Sequence, residues 1–198
     1  MGAVKQIESL YPRMTNVEAA FKNIHQDLLD ECKTGDQKAQ FQIYKLYYKA
    51  MYNTSVRIVI DTMEAEDIMQ ESFLSAFEKI DTYSGTVSFG AWLKKIVINR
   101  SLDALNKRKA IFEDIDYHID IKDESDDYAE TNEELDVRAD EIKKAIEQLP
   151  DGYRIILSLY LLEGYDHDEI SNILAITSST SRSQLSRAKK KLISVLQK

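Results

Sequence analysis

Apolar residues recur at helical spacing along almost the whole chain. Between about Val17 and Lys109 one amphipathic run follows another. In the first, Phe41, Tyr44, Tyr47 or Tyr48, Met51, Ser55 and Ile58 fall three or four apart, and Gly35-Asp36 before them supplies a stop and an N-cap. Thr62 opens a second run, with Ile68, Met69, Phe73, Phe77 and Ile80 on one side. Tyr83-Ser84-Gly85-Thr86 reads as a loop. Ser88 then caps a third helix whose expected core face is Phe89, Trp92, Leu93, Ile96 and Leu105.

The period fails over residues 112–134, where FEDIDYHIDIKDESDDYAETNEE has too little apolar surface to bury and too much like charge to collapse. A short alternation at Ile115, Tyr117, Ile119 and Ile121 fits either a strand or a docking strip, and the segment as a whole reads as a linker. Helical spacing returns from about Leu135 with Ile142, Ala145, Ile146 and Leu149. Pro150-Asp151-Gly152 breaks it, Tyr153–Leu162 forms a strongly apolar run, and Gly164 ends that run. Asp166 caps a third helix, HDEISNILAI. Thr177-Ser178-Ser179 is a polar turn, and Thr180–Gln197 a last helix. The expected architecture is all-α: two small helical domains, 17–110 and 135–198, joined by a flexible acidic linker over 111–134. With 6 Gly and 2 Pro in 198 residues there are few turns available for an all-β fold.

Charge sharpens this picture. The formal net charge is −8, which on its own speaks against a nucleic-acid partner. Its distribution reverses that reading. Residues 111–141 hold 14 acids against Lys122 and Arg138, a net −12, so the rest of the chain is +4. From Ile170 onward there is no acid, while Arg182, Arg187, Lys189, Lys190, Lys191 and Lys198 are basic. An acidic middle between more basic ends points to nucleic acid. The one cysteine, Cys32, permits no intrachain disulfide and reads as a small apolar filler, which suits a reducing cytoplasm. No apolar run approaches the roughly 18 residues of a membrane span, and MGAVKQIESLYPRM lacks an apolar signal core.

The stretch Asp166–Lys191 has the form of a helix-turn-helix. Its second helix presents Arg182, Ser183, Gln184, Ser186, Arg187 and Lys190 outward, with Leu185, Ala188 and Leu192 inward. Such a helix fits the major groove: Arg bonds a guanine edge, Gln an adenine, and lysines hold phosphates. The plainer alternative is a solvated basic face. In the N-terminal half, Asp67, Gln70 and Glu71 of AEDIMQE share one helix face, either a polar docking surface or an ordinary wet face. The run WLKKIVINRSLDALNKRK is basic (Lys94, Lys95, Arg100, Lys107, Arg108 and Lys109 against Asp103) and is preceded by Tyr83, Phe89 and Trp92. Aromatic rings beside cations suit unpaired bases. Tyr83, in its loop, is the ring expected to stack, and Asn99, one turn from Asp103, to read a base edge.

These residues resemble a known family. AEDIMQESFLSAF is similar to the region-two core helix of bacterial sigma factors, usually close to AEDIVQEVF. WLKKIVINRSLDALNKRK resembles their "WL..IA.N...D..RR.." segment, and IEQLPDGYRIILSLYLLEGYDHDEISNILAITSSTSRSQLSRAKKKL resembles region four. The order of the three matches carries the resemblance, and the two-domain layout looks like the extracytoplasmic-function branch. The resemblance implies a factor that directs core RNA polymerase to promoters and helps to melt them, with no enzymatic activity, cofactor or metal of its own. It implies that Asp67, Gln70 and Glu71 dock on the β′ clamp helices. Tyr83, Trp92, Lys95, Asn99, Arg100, Asp103, Lys107 and Arg108 would take up the −10 element. Thr180, Arg182, Ser183, Gln184, Ser186, Arg187 and Lys190 would read the −35 element. It also implies a contact with the β flap, passage of the acidic linker through the RNA channel, and, commonly in this branch, a membrane-associated anti-sigma factor. The chain departs from the family at Ser179-Thr180-Ser181, where Gly-Thr-Val is frequent, at Gln184, where a second Arg is frequent, and at Asn106-Lys107-Arg108, where the basic pair is shifted.

A stand-alone helix-turn-helix regulator with an N-terminal sensor or dimerisation domain is the competing expectation. It has no need of AEDIMQE followed by a basic aromatic helix. An enzyme fits least: His25, His118 and His167 are scattered, and no metal-ligand spacing, nucleophile elbow or phosphate-cradling glycine loop appears.

Overall fold

Capping residues decide where the helices begin. In the computed structural model, which describes residues 25–112 and 139–197, α1 (Gln26–Lys33) ends at Gly35, whose φ of +84° is the left-handed turn a glycine allows. Asp36 then accepts from the Ala39 N–H at 2.8 Å and starts α2 (Gln37–Val59). Asp61 accepts from the Met63 and Glu64 N–H groups, both at 2.9 Å, and starts α3 (Thr62–Glu78). A 3₁₀ turn (Ile80–Thr82) follows. Ser88 accepts from the Ala91 N–H at 3.2 Å at the head of α4 (Phe89–Phe112). Among the described residues there is no strand. The expected linker from residue 113 on, its Ile115–Ile121 alternation and residues 17–24 lie outside the described residues.

The chain divides into two compact units, with the break inside the acidic stretch. In the first, α4 packs on both α2 and α3. Its core side is therefore wider than a single stripe: Phe89, Leu93 and Leu105 are buried as expected, and Val97, Ile98 and Ser101 are buried as well. Trp92 and Ile96 are only partly covered. Leu29, Ile43, Met51, Met69 and Phe73 complete the core, each worth about 1.5–3 kcal/mol once fully buried. Two small contacts let α4 approach α2 closely. Ser55 and Ser101 meet at 3.0 Å in the interior, and a Cβ on Gly90 would stand 2.9 Å from the Tyr47 ring. Cys32 is buried, as a filler should be.

In the second unit α5 (Ala139–Glu147) buries Ile142, Ala145 and Ile146. The break after it is Gln148-Leu149-Pro150. Asp151 and Gly152 are already helical, because an acid at the first position suits the helix N-terminus, so α6 is Asp151–Leu157. A π-helical turn (Ser158–Leu162) continues it and Gly164, at φ +81°, ends it. Arg154 is 2% exposed inside this unit. Its Nη1 lies 2.7 Å from Asp151 Oδ1 and donates to the Leu149 carbonyl at 3.3 Å, tying α6 to the chain before Pro150. Asp166 and Glu169 form a full capping box on α7 (His167–Leu174). Ala175 takes the left-handed conformation (φ 53°, ψ 42°), and Thr177 caps α8 (Ser178–Leu196) by accepting from the Thr180 N–H at 3.0 Å. The turn is thus Ala175-Ile176-Thr177, two residues earlier than expected. In a run of Thr and Ser several hydroxyls can cap, and Thr177 does so here.

Candidate promoter and polymerase surfaces

On α3 the residues Asp67, Gln70 and Glu71 are all exposed, while Ile68 and Met69 point into the core. The face is flanked by two large apolar side chains that the sequence pattern does not single out: Met63, 79% exposed, and Leu74, 65% exposed. Both keep the helical spacing of the polar residues (63, 67, 70, 74), so the face is an acidic and amide centre with apolar ends. Gln70 Nε2 donates to Glu66 Oε1 at 3.3 Å along the same face.

The expected −10 residues on α4 separate into two groups. Lys95, Asn99, Asp103 and Lys107 follow each other at intervals of four and are all exposed. Arg100 and Arg108 turn instead toward α3. Arg100 Nη1 sits 2.7 Å from Glu71 Oε2. Arg108 Nη1 sits 3.3 Å from Glu64 Oε2, with Nη2 donating to the Val59 carbonyl at 3.4 Å. A residue expected to hold polymerase and one expected to hold DNA are thereby joined in one ion pair. Pairs across two helices have no sequence spacing to announce them.

Tyr83 corrects the sequence expectation. It is 7% exposed, a member of the core, and not a ring standing in a loop. Its hydroxyl donates to the Val87 carbonyl at 2.6 Å, and its ring packs on Phe89 (5.6 Å, edge-on) and Trp92 (5.4 Å). The 3₁₀ turn before it rotates the ring inward over the start of α4. The exposed part of the loop is Ser84–Val87, and Val87 is its apolar tip.

On α8, Leu185, Ala188 and Leu192 are buried, as their spacing requires. Arg182, Ser183, Ser186 and Lys190 are exposed, and Gln184 and Arg187 half-buried. The Thr180 hydroxyl is engaged at home, 2.8 Å from Thr177 Oγ1 in the cap. Lys189 Nζ lies over the Tyr160 ring at 5.3 Å, so that lysine is held back against the unit. The geometry is a helix-turn-helix whose second helix carries bidentate donors and cations outward and no acid anywhere along it. The Tyr165 hydroxyl, just before α7, is pushed up to about 12 by burial, with Glu163 and Glu169 adding to the effect. Among the described residues no group of His, Cys, Asp and Glu is placed to hold a metal, and no helix is long and apolar enough to cross a membrane.

Comparison with known proteins agrees with this layout. Sigma-70 region 2 matches residues 43–111, and Sigma-70, region 4 matches residues 139–192. The RNA polymerase sigma-H factor of Pseudomonas aeruginosa is 30% identical over 183 residues, covering 87% of this chain and 93% of that protein. The ECF RNA polymerase sigma factor SigW of Bacillus subtilis is 28% identical, covering 83% and 92%. Among solved structures, the sigma factor RpoE of Bartonella quintana, in complex with the anti-sigma factor NepR, shares the fold at a TM-score of 0.55. It is 22% identical, and the match covers 79% of this chain and 95% of that one. CnrH, in complex with the cytosolic domain of CnrY, does so at 0.53 with 18% identity, covering 87% and 97%. The chain belongs to the sigma-70 family of RNA polymerase sigma factors, in its extracytoplasmic-function branch.

Proposed function

We propose that this sigma factor grips core polymerase and promoter through three separate helix faces, one on each of α3, α4 and α8. As a sigma factor it directs core RNA polymerase to specific promoters in transcription initiation and is not an enzyme. The observation that carries the division of labour is the segregation of charge. The α3 face is acidic, the α4 stripe mixes Lys95 and Lys107 with the base-reading candidates Asn99 and Asp103, and α8 is basic without an acid.

In this reading Asp67, Gln70 and Glu71, framed by Met63 and Leu74, dock on the β′ clamp helices. The apolar ends supply burial and the polar centre sets register. Lys95, Asn99, Asp103 and Lys107 meet the −10 element, Trp92 stands at the edge of that stripe, and Arg100 and Arg108 join once their partners on α3 are taken up. Tyr83 supports the start of α4 from within. Melting costs a few kcal/mol for each base taken from the stack, which pocket contacts and stacking offset. Arg182, Ser183, Gln184, Ser186 and Arg187 read the −35 element in the major groove while Lys190 holds phosphate and Thr180 fixes the first turn. The β flap is the natural second contact of the region-four unit on the polymerase, and an anti-sigma factor is the partner class that the solved Bartonella quintana sigma factor carries. The site of action is the cytoplasm, where the polymerase is.

Reversing charge at Asp67 and Glu71 together (to Lys) tests the docking face. Retention of core polymerase should fall with helix content unchanged, and undiminished retention would leave α3 as a solvated face. Arg187→Ala should cost about 1–3 kcal/mol of promoter discrimination, and unchanged promoter use would remove Arg187 from the reading set.

A further inference from the structure

α8 is held to its unit by two kinds of contact. Leu185, Ala188 and Leu192 are apolar and buried, and contacts of that kind have no preferred direction. A helix seated on them alone can roll about its axis. With side-chain tips about 5–6 Å from the axis, a roll of about 20° moves them by about 2 Å, enough to break a bidentate bond to a base edge.

The directional contacts come from the start of α7 and from the π-helical turn. Ser181, one turn into α8, is 0% exposed, and its Oγ lies 2.9 Å from His167 Nδ1. The His167 ring lies 5.1 Å from that of Tyr160, and the same Tyr160 ring receives Lys189 Nζ two turns further along α8. Ser178 Oγ donates to Asp168 Oδ1, joining the same two helix starts again. Ser181, His167, Tyr160 and Lys189 form one chain of contacts fixed to α8 at two points along its length.

We propose that His167 is a positioning residue for promoter recognition: by holding Ser181 and packing on Tyr160 it sets the roll of α8, and so which of Arg182, Ser183, Gln184, Ser186 and Arg187 meets a base edge. The proposal rests on the assignment of α8 to the −35 element. His167 touches no DNA in it. Its effect is on discrimination between promoters, with little effect on affinity for polymerase or on phosphate contacts.

The test uses the full chain with core polymerase in run-off transcription. The templates are the strongest promoter from a library and its single-base −35 variants. His167→Phe keeps a ring against Tyr160 and removes Nδ1, His167→Asn restores a polar atom near the Nδ1 position, and Ser181→Ala removes the hydroxyl. His167→Phe and Ser181→Ala should each lower the ratio of output from the parent template to that from its variants by about three- to ten-fold, part of what one lost base contact costs. Core binding should be unchanged. The double variant should fall no further than either single one, and His167→Asn should recover the ratio to within about two-fold. Ser181→Ala, a small and conservative change, decides the matter if His167→Phe proves unstable. The proposal is overturned if the ratio survives both substitutions while Arg182→Ala or Arg187→Ala lowers it, or if the two losses add. If neither arginine substitution alters the ratio, the −35 assignment itself has failed, and this proposal falls with it.

Discussion

Arg100→Ala releases a carboxylate that the polymerase is proposed to use. In the chain by itself Arg100 Nη1 and Glu71 Oε2 are 2.7 Å apart, with the two side chains 37% and 64% exposed. Pairs this accessible to water contribute about 0.2–1 kcal/mol. If docking on the clamp helices claims the Glu71 carboxylate, that energy is surrendered at each binding event. Removing Arg100 should then tighten core binding by about 1.4- to 5-fold and lower the stability of the free chain by the same fraction of a kcal/mol. The gain should shrink as salt rises, since an exposed pair is screened. The assay is titration of a fluorescently labelled chain with core polymerase, without DNA, at two ionic strengths, beside urea denaturation of the free protein. Glu71→Gln run in parallel should weaken binding. Weaker core binding by Arg100→Ala at low salt would refute the reasoning, because it would mean that the arginine presents Glu71 to the polymerase and does not withhold it.

Three further outcomes follow from individual residues. The Ser158 hydroxyl is buried in the π-helical turn without a hydrogen-bond partner, so Ser158→Ala should raise the urea midpoint, by about 1 kcal/mol of stability; a loss would show that the hydroxyl is satisfied after all. Ala175 sits in the left-handed region, which costs a non-glycine residue about 1–2 kcal/mol, against the 0.5–1 kcal/mol that glycine loses in chain entropy. Ala175→Gly should therefore stabilise the second unit by about 0.5–1 kcal/mol in the same measurement. Burial, with Asp36 and Glu31 adding to it, pushes the Cys32 thiol up to about 11. A thiol raised in this way contributes stability that is fully present below its ordinary value of 9.0 and lost as pH rises toward 11, so unfolding should ease across that window and less so in Cys32→Ala. Alkylation of the native thiol at neutral pH should be slow.

Local chemistry was legible in the sequence where one residue decides the outcome and no equivalent residue stands beside it, as Ser178 and Ser179 stand beside the cap Thr177. Asp36, Ser88 and Asp166 each cap the helix that their position announces, because an N-cap needs only its own side chain and the next three N–H groups. The inward set of α8, Leu185, Ala188 and Leu192, followed from its period, whereas the burial of Ser181 and the half-burial of Gln184 and Arg187 did not. What was hidden depends on the other helices. Val97, Ile98 and Ser101 are buried because α4 has neighbours on two sides, and a single-stripe reading assumes one wet face. Tyr83 faces inward because the turn before it sets its direction, and a loop residue judged by type alone looks exposed. The division of α4 into an open stripe and two arginines tied to α3 is tertiary, as is the burial of Arg154, although Asp151 three residues before it is the signal that could have marked the pair.

The division of labour between polymerase docking and promoter reading is tested most directly by transcription with purified components. Core polymerase and the full chain, separately and together, would be offered a library of promoter fragments, and run-off products sequenced alongside the fragments retained. The account predicts specific transcripts only from the mixture, sharing one −35 and one −10 sequence, with little duplex retained by the chain alone. Tight, sequence-specific retention by the chain alone, with no transcript gained when polymerase is added, would contradict it.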